Sequence, residues 1–330
     1  MPKLVRFHEV GGPDVLKIEE VEIPTPSAGQ VRIKVKAIGL NRAESMYRTG
    51  AYVEEPVFPA LLGYEAAGEI EAVGPDITEF KIGDKVSVVP AFSFLDYGLY
   101  GELVLAPARA VVKHPETLSW EEAAAVWMQY VTAWGGLIEF AKLGKGDTVV
   151  ISAASSSVGI AAIQIAKQVG ATSIALTRTN TKVAELKAAG ADFVVVTDEQ
   201  DLVKEILAIT GGKGAEVVFD PVGGPTFSKL AGATAIDGTM ILYGALSPEP
   251  TTLSAVEVLG RHLTIRGFQL FEASTDDARL EKAKKFIVEG LASGSLKPVL
   301  AKTFPFEAIV NAHHYLESNA QIGKVVVSVN

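Results

Sequence analysis

Between residues 148 and 267, short apolar runs alternate with segments of helical period, and no other feature constrains the fold as strongly. The runs lie at 148–153, 173–177, 192–196, 215–219, 239–243 and 262–267. "TVVIS", "SIALT" and "AEVVF" are apolar throughout, whereas a half-buried strand would alternate with polar residues. A strand apolar on both faces belongs in a parallel sheet between helix layers. Helical segments near 157–169, 181–189, 200–210, 225–235 and 252–259 supply the crossovers that parallel strands require. Six strands with five connecting helices predict a doubly wound, dinucleotide-type α/β domain.

The flanks read differently. The first 118 residues are rich in β patterns and turn signals: "VRIKVKAIGL" alternates apolar and charged residues, and "GGPD", "IPTPSAG" and "PVFP" punctuate. Ser119 is placed to cap a helix with Glu121 and Glu122 in its first turn. The apolar run 123–141 contains Gln129, Thr132 and Glu139 and is read as buried helix rather than a membrane span. Beyond about 268 come a charged amphipathic helix and a β-like segment, "GKVVVSV". A short strand cannot fold alone, so it is expected to return to the β-rich first domain. The expected division is therefore 1–120 plus 268–330, with 121–267 inserted as the α/β domain. A chain of 330 residues can bury two cores.

Charge and cysteine usage narrow the function. The net charge is −9 and there is no Lys/Arg cluster, which argues against a nucleic-acid or anionic-membrane partner. With no cysteine there is no disulfide, thiol nucleophile or thiolate metal site. That composition, with an N-terminal stretch lacking the apolar core of a signal peptide, leads to the expectation of a cytoplasmic protein.

The stretch "VVISAASSSVGIAAIQIAKQVGA" reads as strand, tight turn and helix. A dinucleotide turn carries three spaced glycines; here the matching positions are Ala154, Ser156 and Gly159, so only the glycine that lets helix pack on sheet is kept. Small side chains still allow close approach. Ser155, Ser156, Ser157 and Val158 would present hydroxyls and N–H groups to phosphate at a helix N-terminus. A polar turn without a ligand would look similar. The end of the next strand, "IALTRTNTK", sharpens the choice. An NAD site usually places an acid there; this chain has Thr177, Arg178 and Lys182. Cations at that point suit a 2′-phosphate, hence NADPH over NADH, although ordinary surface charge is the plainer alternative.

"GGPDVLKIEEVEIPTPSAGQVRIKVKAIGLNRAE", "GYEAAGEIEAVG", "FKIGDKV", "YGELVLAPA", "LGKGDTVVISAASSSVGIAAIQIAK", "LKAAGAD" and "VFDPVGG" follow one another in order. Together they resemble the medium-chain dehydrogenase/reductase superfamily nearly end to end, in its zinc-independent, quinone oxidoreductase-like branch. The resemblance implies a GroES-like catalytic domain interrupted by the Rossmann domain. Where zinc-dependent relatives carry their ligands, this chain has Asn41, Tyr64 and Met128, so no metal is expected. His313 and His314 are adjacent and point in different directions; they are read as surface or packing residues. By the same resemblance, Asn41 and Tyr52 line the substrate cleft, Thr132 lies beside the nicotinamide, and Val222, Gly223, Gly244 and Ala245 follow the cofactor. Phe268 would lie at the lip between the domains. Two departures stand out: "SSSVG" replaces the common "AGGVG", and Glu44 replaces the more usual Asp. The aromatic loop 90–101 either borders the cleft or packs beneath it.

The chemistry expected is transfer of hydride from NADPH, bound across the interdomain cleft, to a quinone or other conjugated carbonyl, with Tyr52 or Asn41 stabilising the oxyanion. Two alternatives stay open: a 2-enoyl-thioester or alkenal reductase on the same fold, and an NADPH-binding sensor or structural protein without turnover. Relatives often pair sheet edges, and "LTIRGF" would supply such an edge for a homodimer.

Overall fold

A computed structural model describes all of residues 1–330. It contains two compact units, 1–128 with 298–330, and 129–297.

The second unit holds the six-stranded parallel sheet. Its strands lie side by side as Phe193–Val196, Thr172–Thr177, Thr148–Ile151, Ala215–Asp220, Thr234–Leu242 and Thr264–Gly267. In chain order that is 3-2-1-4-5-6, the doubly wound arrangement. The crossovers are helices Ser157–Val169, Val183–Ala188, Leu202–Ile209, Gly224–Gly232 and Ala255–Gly260. Val150, Ile174, Leu176, Val218, Phe227, Leu230 and Met240 form one buried core, which is why these strands read as apolar without alternation. The fifth strand begins at Thr234, earlier than the apolar run at 239. Its register slips between the pairs Ala215–Thr234 and Val217–Thr239, and this bulge hides the strand's first half from a periodicity reading.

The second unit also keeps 268–297, so its C-terminal limit differs from the expected 267. The helix Asp277–Ser293 packs on this unit's own surface. Arg279 Nε lies 3.4 Å from Glu139 Oε1, and Gly290 sits against Leu296. Just beyond the helix, Ser295 Oγ donates to Gln168 Oε1 at 3.1 Å. An amphipathic pattern states that a helix is half-buried without stating which sheet it covers.

The first unit is β-rich. Leu300–Pro305, Lys324–Ser328, Gln30–Gly39, Glu65–Val73, Lys85–Val88 and Val111–Lys113 are consecutive neighbours in one sheet, and Leu103–Pro107 also pairs with Gln30–Gly39. Val31, Ile33 and Val35 are buried while Lys34 is exposed, as the alternation in "VRIKVK" predicts. The C-terminal strand returns to this sheet, Val326 opposite Gly39. A smaller sheet joins Lys17–Glu20, Lys3–Phe7 and Ala60–Leu61.

Ser119 caps the short helix Trp120–Ala123, its Oγ accepting from Glu122 N at 3.2 Å. The run 123–141 is buried over most of its length but is not one continuous helix: a new α-helix starts at Trp127, ends at Trp134 and continues as a π-helix over Gly135–Phe140. The break has a visible cause. Glu65 Oε1 accepts from Trp127 N at 2.5 Å and Met128 N at 3.4 Å, so a buried carboxylate starts a fresh helix there. No helix of the structure is long and apolar enough to cross a membrane.

Candidate active site

In the parallel-sheet unit, the loops that leave the carboxyl ends of the strands are stitched together by backbone bonds. Ser152 N donates to Phe219 O at 3.1 Å, Ala154 N to Leu176 O at 3.3 Å, and Tyr243 N to Asp220 O at 3.0 Å. Ser247 N to Val222 O at 2.9 Å and Phe268 N to Leu242 O at 2.9 Å complete the set. Val222, Gly223, Gly244 and Ala245 therefore lie on neighbouring loops at one end of the sheet, where open α/β sheets bind ligands.

The first turn departs from its glycine alignment by one residue. The left-handed residue is Ala153, φ 48°, not Ala154. Gly159 does the packing expected of it, since an added Cβ would fall 2.5 Å from Ala154 Cα and O. Ser156 is the N-cap of Ser157–Val169, its Oγ accepting from Gly159 N at 3.0 Å. Ser155 Oγ accepts from Lys182 Nζ at 3.2 Å. Ser157 and Val158 form the helix's first turn, half-exposed. Thr177 ends its strand, and Arg178 follows it, exposed. Burial and the nearby Arg178 charge hold the Lys182 ammonium below its usual pKa. Lys182 thus reaches the turn before the helix N-terminus, with the Arg178 charge near it and no acid at the strand end, a chemistry that suits an anion.

Two other residues of this unit lie deep. Thr132 is buried on the helix Trp127–Trp134. The Phe268 ring is buried, 5.3 Å from the Phe140 ring, and fills the space that a side chain on Gly135 would need. Asp220, fully buried, accepts from Gly223 N at 2.7 Å, and burial raises its carboxyl pKa.

In the β-rich unit, Asn41 stands at the centre of a buried charge network. Its Oδ1 accepts from Lys324 Nζ at 2.5 Å, and Lys324 Nζ also donates to Glu65 Oε2 at 2.6 Å. Asn41 Nδ2 donates to Gly39 O at 3.1 Å and Glu44 Oε1 at 3.2 Å. Glu44 further accepts from Asn41 N at 2.6 Å and from Tyr64 N at 3.1 Å. Burial pushes the Glu44 carboxyl up to about 7, against the pull of Lys324 and these donors. Both amide hydrogens and the oxygen of Asn41 are thus engaged, a geometry that speaks against its serving as an oxyanion donor.

Tyr52 is half-buried. Tyr64 OH donates to its oxygen at 3.4 Å, and burial pushes the Tyr52 phenol up to about 12. The loop 90–101 packs beneath: Phe94 stacks between Tyr64 and Tyr47, at centroid distances of 3.7 and 4.5 Å. His313 is buried against Tyr100, and His314 lies 3.3 Å from Asp14 at the surface. No group of three or more His, Cys, Asp or Glu residues is placed to hold a metal ion. Asn41 and Tyr52 are joined through Glu44 and Tyr64. Lys324 and Glu65 escaped the sequence reading, although a charged residue inside an apolar strand ("GKVVVSV", "GYEAAG") signals a buried pair.

The strand-end loops and two-unit build define a dinucleotide-binding oxidoreductase class. Residues 27–116 match the alcohol dehydrogenase GroES-like domain, and 157–289 match the family described as zinc-binding dehydrogenase. The 2-haloacrylate reductase of Burkholderia sp is 31% identical over 330 residues, covering 97% of each chain. Human quinone oxidoreductase is 31% identical over 327 residues, covering 98% of this chain and 97% of its own. The structure of Escherichia coli quinone oxidoreductase complexed with NADPH superposes with a TM-score of 0.91 at 29% identity, covering 99% of both. The chain belongs to the medium-chain dehydrogenase/reductase superfamily, in its zinc-independent, quinone oxidoreductase-like branch.

Proposed function

We propose that the protein is an NADPH-dependent reductase of quinones or other conjugated carbonyls that works without a metal. The observation that carries the cofactor choice is the Arg178–Lys182–Ser155 corner, where a 2′-phosphate would find two cations and a hydroxyl. When bound, NADPH supplies the hydride. Ser155, Ser156, Ser157 and Val158 cradle the pyrophosphate; Thr177, Arg178 and Lys182 hold the phosphorylated ribose. Val222, Gly223, Gly244 and Ala245 line the dinucleotide through backbone, with Phe268 supporting them from the interior and Thr132 at the nicotinamide end.

Tyr52 donates a hydrogen bond to the acceptor's carbonyl oxygen, where negative charge develops. Its pKa of about 12 keeps it protonated at neutral pH. Asn41 holds the surrounding wall in place. The proton that completes the reduction comes from solvent. A conjugated acid or thioester is the second acceptor class, favoured by the likeness to 2-haloacrylate reductase. The β-rich domain is proposed to act as the substrate domain and the parallel-sheet domain as the cofactor domain.

A homodimer through the open edge of Thr264–Gly267 is part of the proposal; Ile236, Val256 and Leu259 are exposed apolar residues of the same unit. So is a cytoplasmic location, which a cysteine-free chain suits. Calorimetric titration tests the cofactor reading: NADPH should bind at least about tenfold tighter than NADH, the worth of one charge-assisted contact. Equal affinities would sink it.

A further inference from the structure

We propose that Tyr64 is a positioning residue that acts through Tyr52: its hydroxyl donates to the Tyr52 oxygen, aiming and strengthening Tyr52's own hydrogen bond to the acceptor. This rests on the reading that Tyr52 faces the acceptor carbonyl.

Contacts on several sides fix Tyr64. Its N–H donates to Glu44 Oε1 at 3.1 Å. Its ring stacks on Phe94 with centroids 3.7 Å apart and planes 24° apart, and Phe94 stacks in turn on Tyr47. Its hydroxyl reaches the Tyr52 hydroxyl at 3.4 Å. Tyr52 meets the same stack edge-on, 5.7 Å from Phe94 and 6.3 Å from Tyr47. Glu44 is itself held by the Asn41 backbone and amide, so the placement of Tyr64 runs back to the Lys324 network.

The direction of the bond matters. Because the Tyr64 proton points at the Tyr52 oxygen, the Tyr52 proton is left to point elsewhere. A hydroxyl that accepts one hydrogen bond donates the next more strongly, since linked bonds polarise one another. At 3.4 Å the contact is long for two hydroxyls, and contacts of this kind tighten as the reacting complex forms. Burial raises both phenols, while the bond from Tyr64 pulls Tyr52 back down. Both therefore stay protonated at neutral pH, and no proton leaves Tyr64. Its full burial excludes it as a direct substrate contact and leaves it the role of partner to the half-buried Tyr52.

Tyr64→Phe removes only the hydroxyl and keeps the stacked ring. In NADPH-dependent turnover, kcat is expected to fall about tenfold, with KM and NADPH affinity within about twofold of wild type. In a Tyr52→Phe background the same change should cost nothing more, because the two act as one unit. Wild-type kcat in Tyr64→Phe, or an equal loss in both backgrounds, would overturn the proposal. A ring-fluorinated tyrosine at position 52, followed by fluorine NMR, decides the pair independently of turnover. Its titration midpoint should rise by about one pH unit in Tyr64→Phe, since a donor to the phenolate is lost. An unchanged midpoint would overturn the proposal. Absence of turnover in the wild type would sink the reductase reading, while the NMR midpoint would still decide the tyrosine pair.

Discussion

The two units carry their functional groups on different material. In the parallel-sheet unit most of the groups are backbone amides, small side chains and the cations Arg178 and Lys182 on loops at strand ends, within a few residues of a strand that places them. In the β-rich unit they are buried side chains drawn from distant stretches, as Asn41 and Lys324 are, 283 residues apart. The first arrangement can lose a side chain and keep its fold, paying in ligand affinity. In the charge network of the second, each group satisfies another buried group, so removing Lys324 or Glu65 disturbs the fold before it disturbs chemistry.

Lys324→Met presses hardest on that contrast. It leaves the Glu65 carboxylate buried with two N–H donors and no cation, and should destabilise the protein by about 3–5 kcal/mol in urea unfolding. An unfolding midpoint equal to wild type would show that the network does not hold the β-rich unit together.

The opposite behaviour is expected at the strand-end corner. Arg178→Ala with Lys182→Ala should weaken NADPH binding by about 10- to 100-fold, from roughly 1.5–3 kcal/mol of charge-assisted contact. NADH binding and the urea midpoint should stay near wild type, because Arg178 is exposed and the Lys182 contact is to a half-exposed serine. A large stability loss here would erase the distinction between the units.

Gly159→Ala marks where the distinction blurs. The new Cβ must displace the backbone of Ala154, at a cost of about 1–3 kcal/mol in stability, and should move the phosphate-binding turn as well. Calorimetry on the folded variant checks the second effect.

A further effect concerns acid. Burial lowers the pKa of His313 from the ordinary 6.5 to about 3, so the native state binds fewer protons than the unfolded chain between those values. Its neutral form contributes stability above about 6.5 that is lost as pH falls towards 3. His313→Phe should flatten that acid limb in melting curves recorded from pH 7 to 4. An unchanged slope would mean that other groups carry it. Glu44 works the other way: with its carboxyl raised to about 7, protonation between the ordinary 4.5 and 7 favours the native state, and that stability fades as pH rises through 7.

The same contrast explains what could be read from the sequence. The helix Ser157–Val169 is found where its period places it, because helix, turn and strand are local objects. The doubly wound class follows from the alternation of apolar strands and crossover helices. The charge network was not legible: nothing near Asn41 announces Lys324, and Glu44 stood out only as a departure from a related pattern. Tyr64 drew notice for the zinc ligand it is not, whereas its contact with Tyr52 depends on how two loops stack on Phe94. The packing of Phe268 was hidden for a similar reason, since the gap it fills is made by Gly135 on a π-helix that no periodicity reveals. The unit that continues to Lys297 was not legible either, because a helix's apolar face does not name the surface it meets.

The most direct measurement is NADPH oxidation by the purified protein in EDTA, against matched quinone, enone and enoyl-thioester acceptors. The account predicts turnover of at least one conjugated acceptor, undiminished by the chelator and reduced at least tenfold in kcat by Tyr52→Phe. Tight NADPH binding with no oxidation of it by any of the three would contradict the enzyme reading and leave a cofactor-binding protein without turnover.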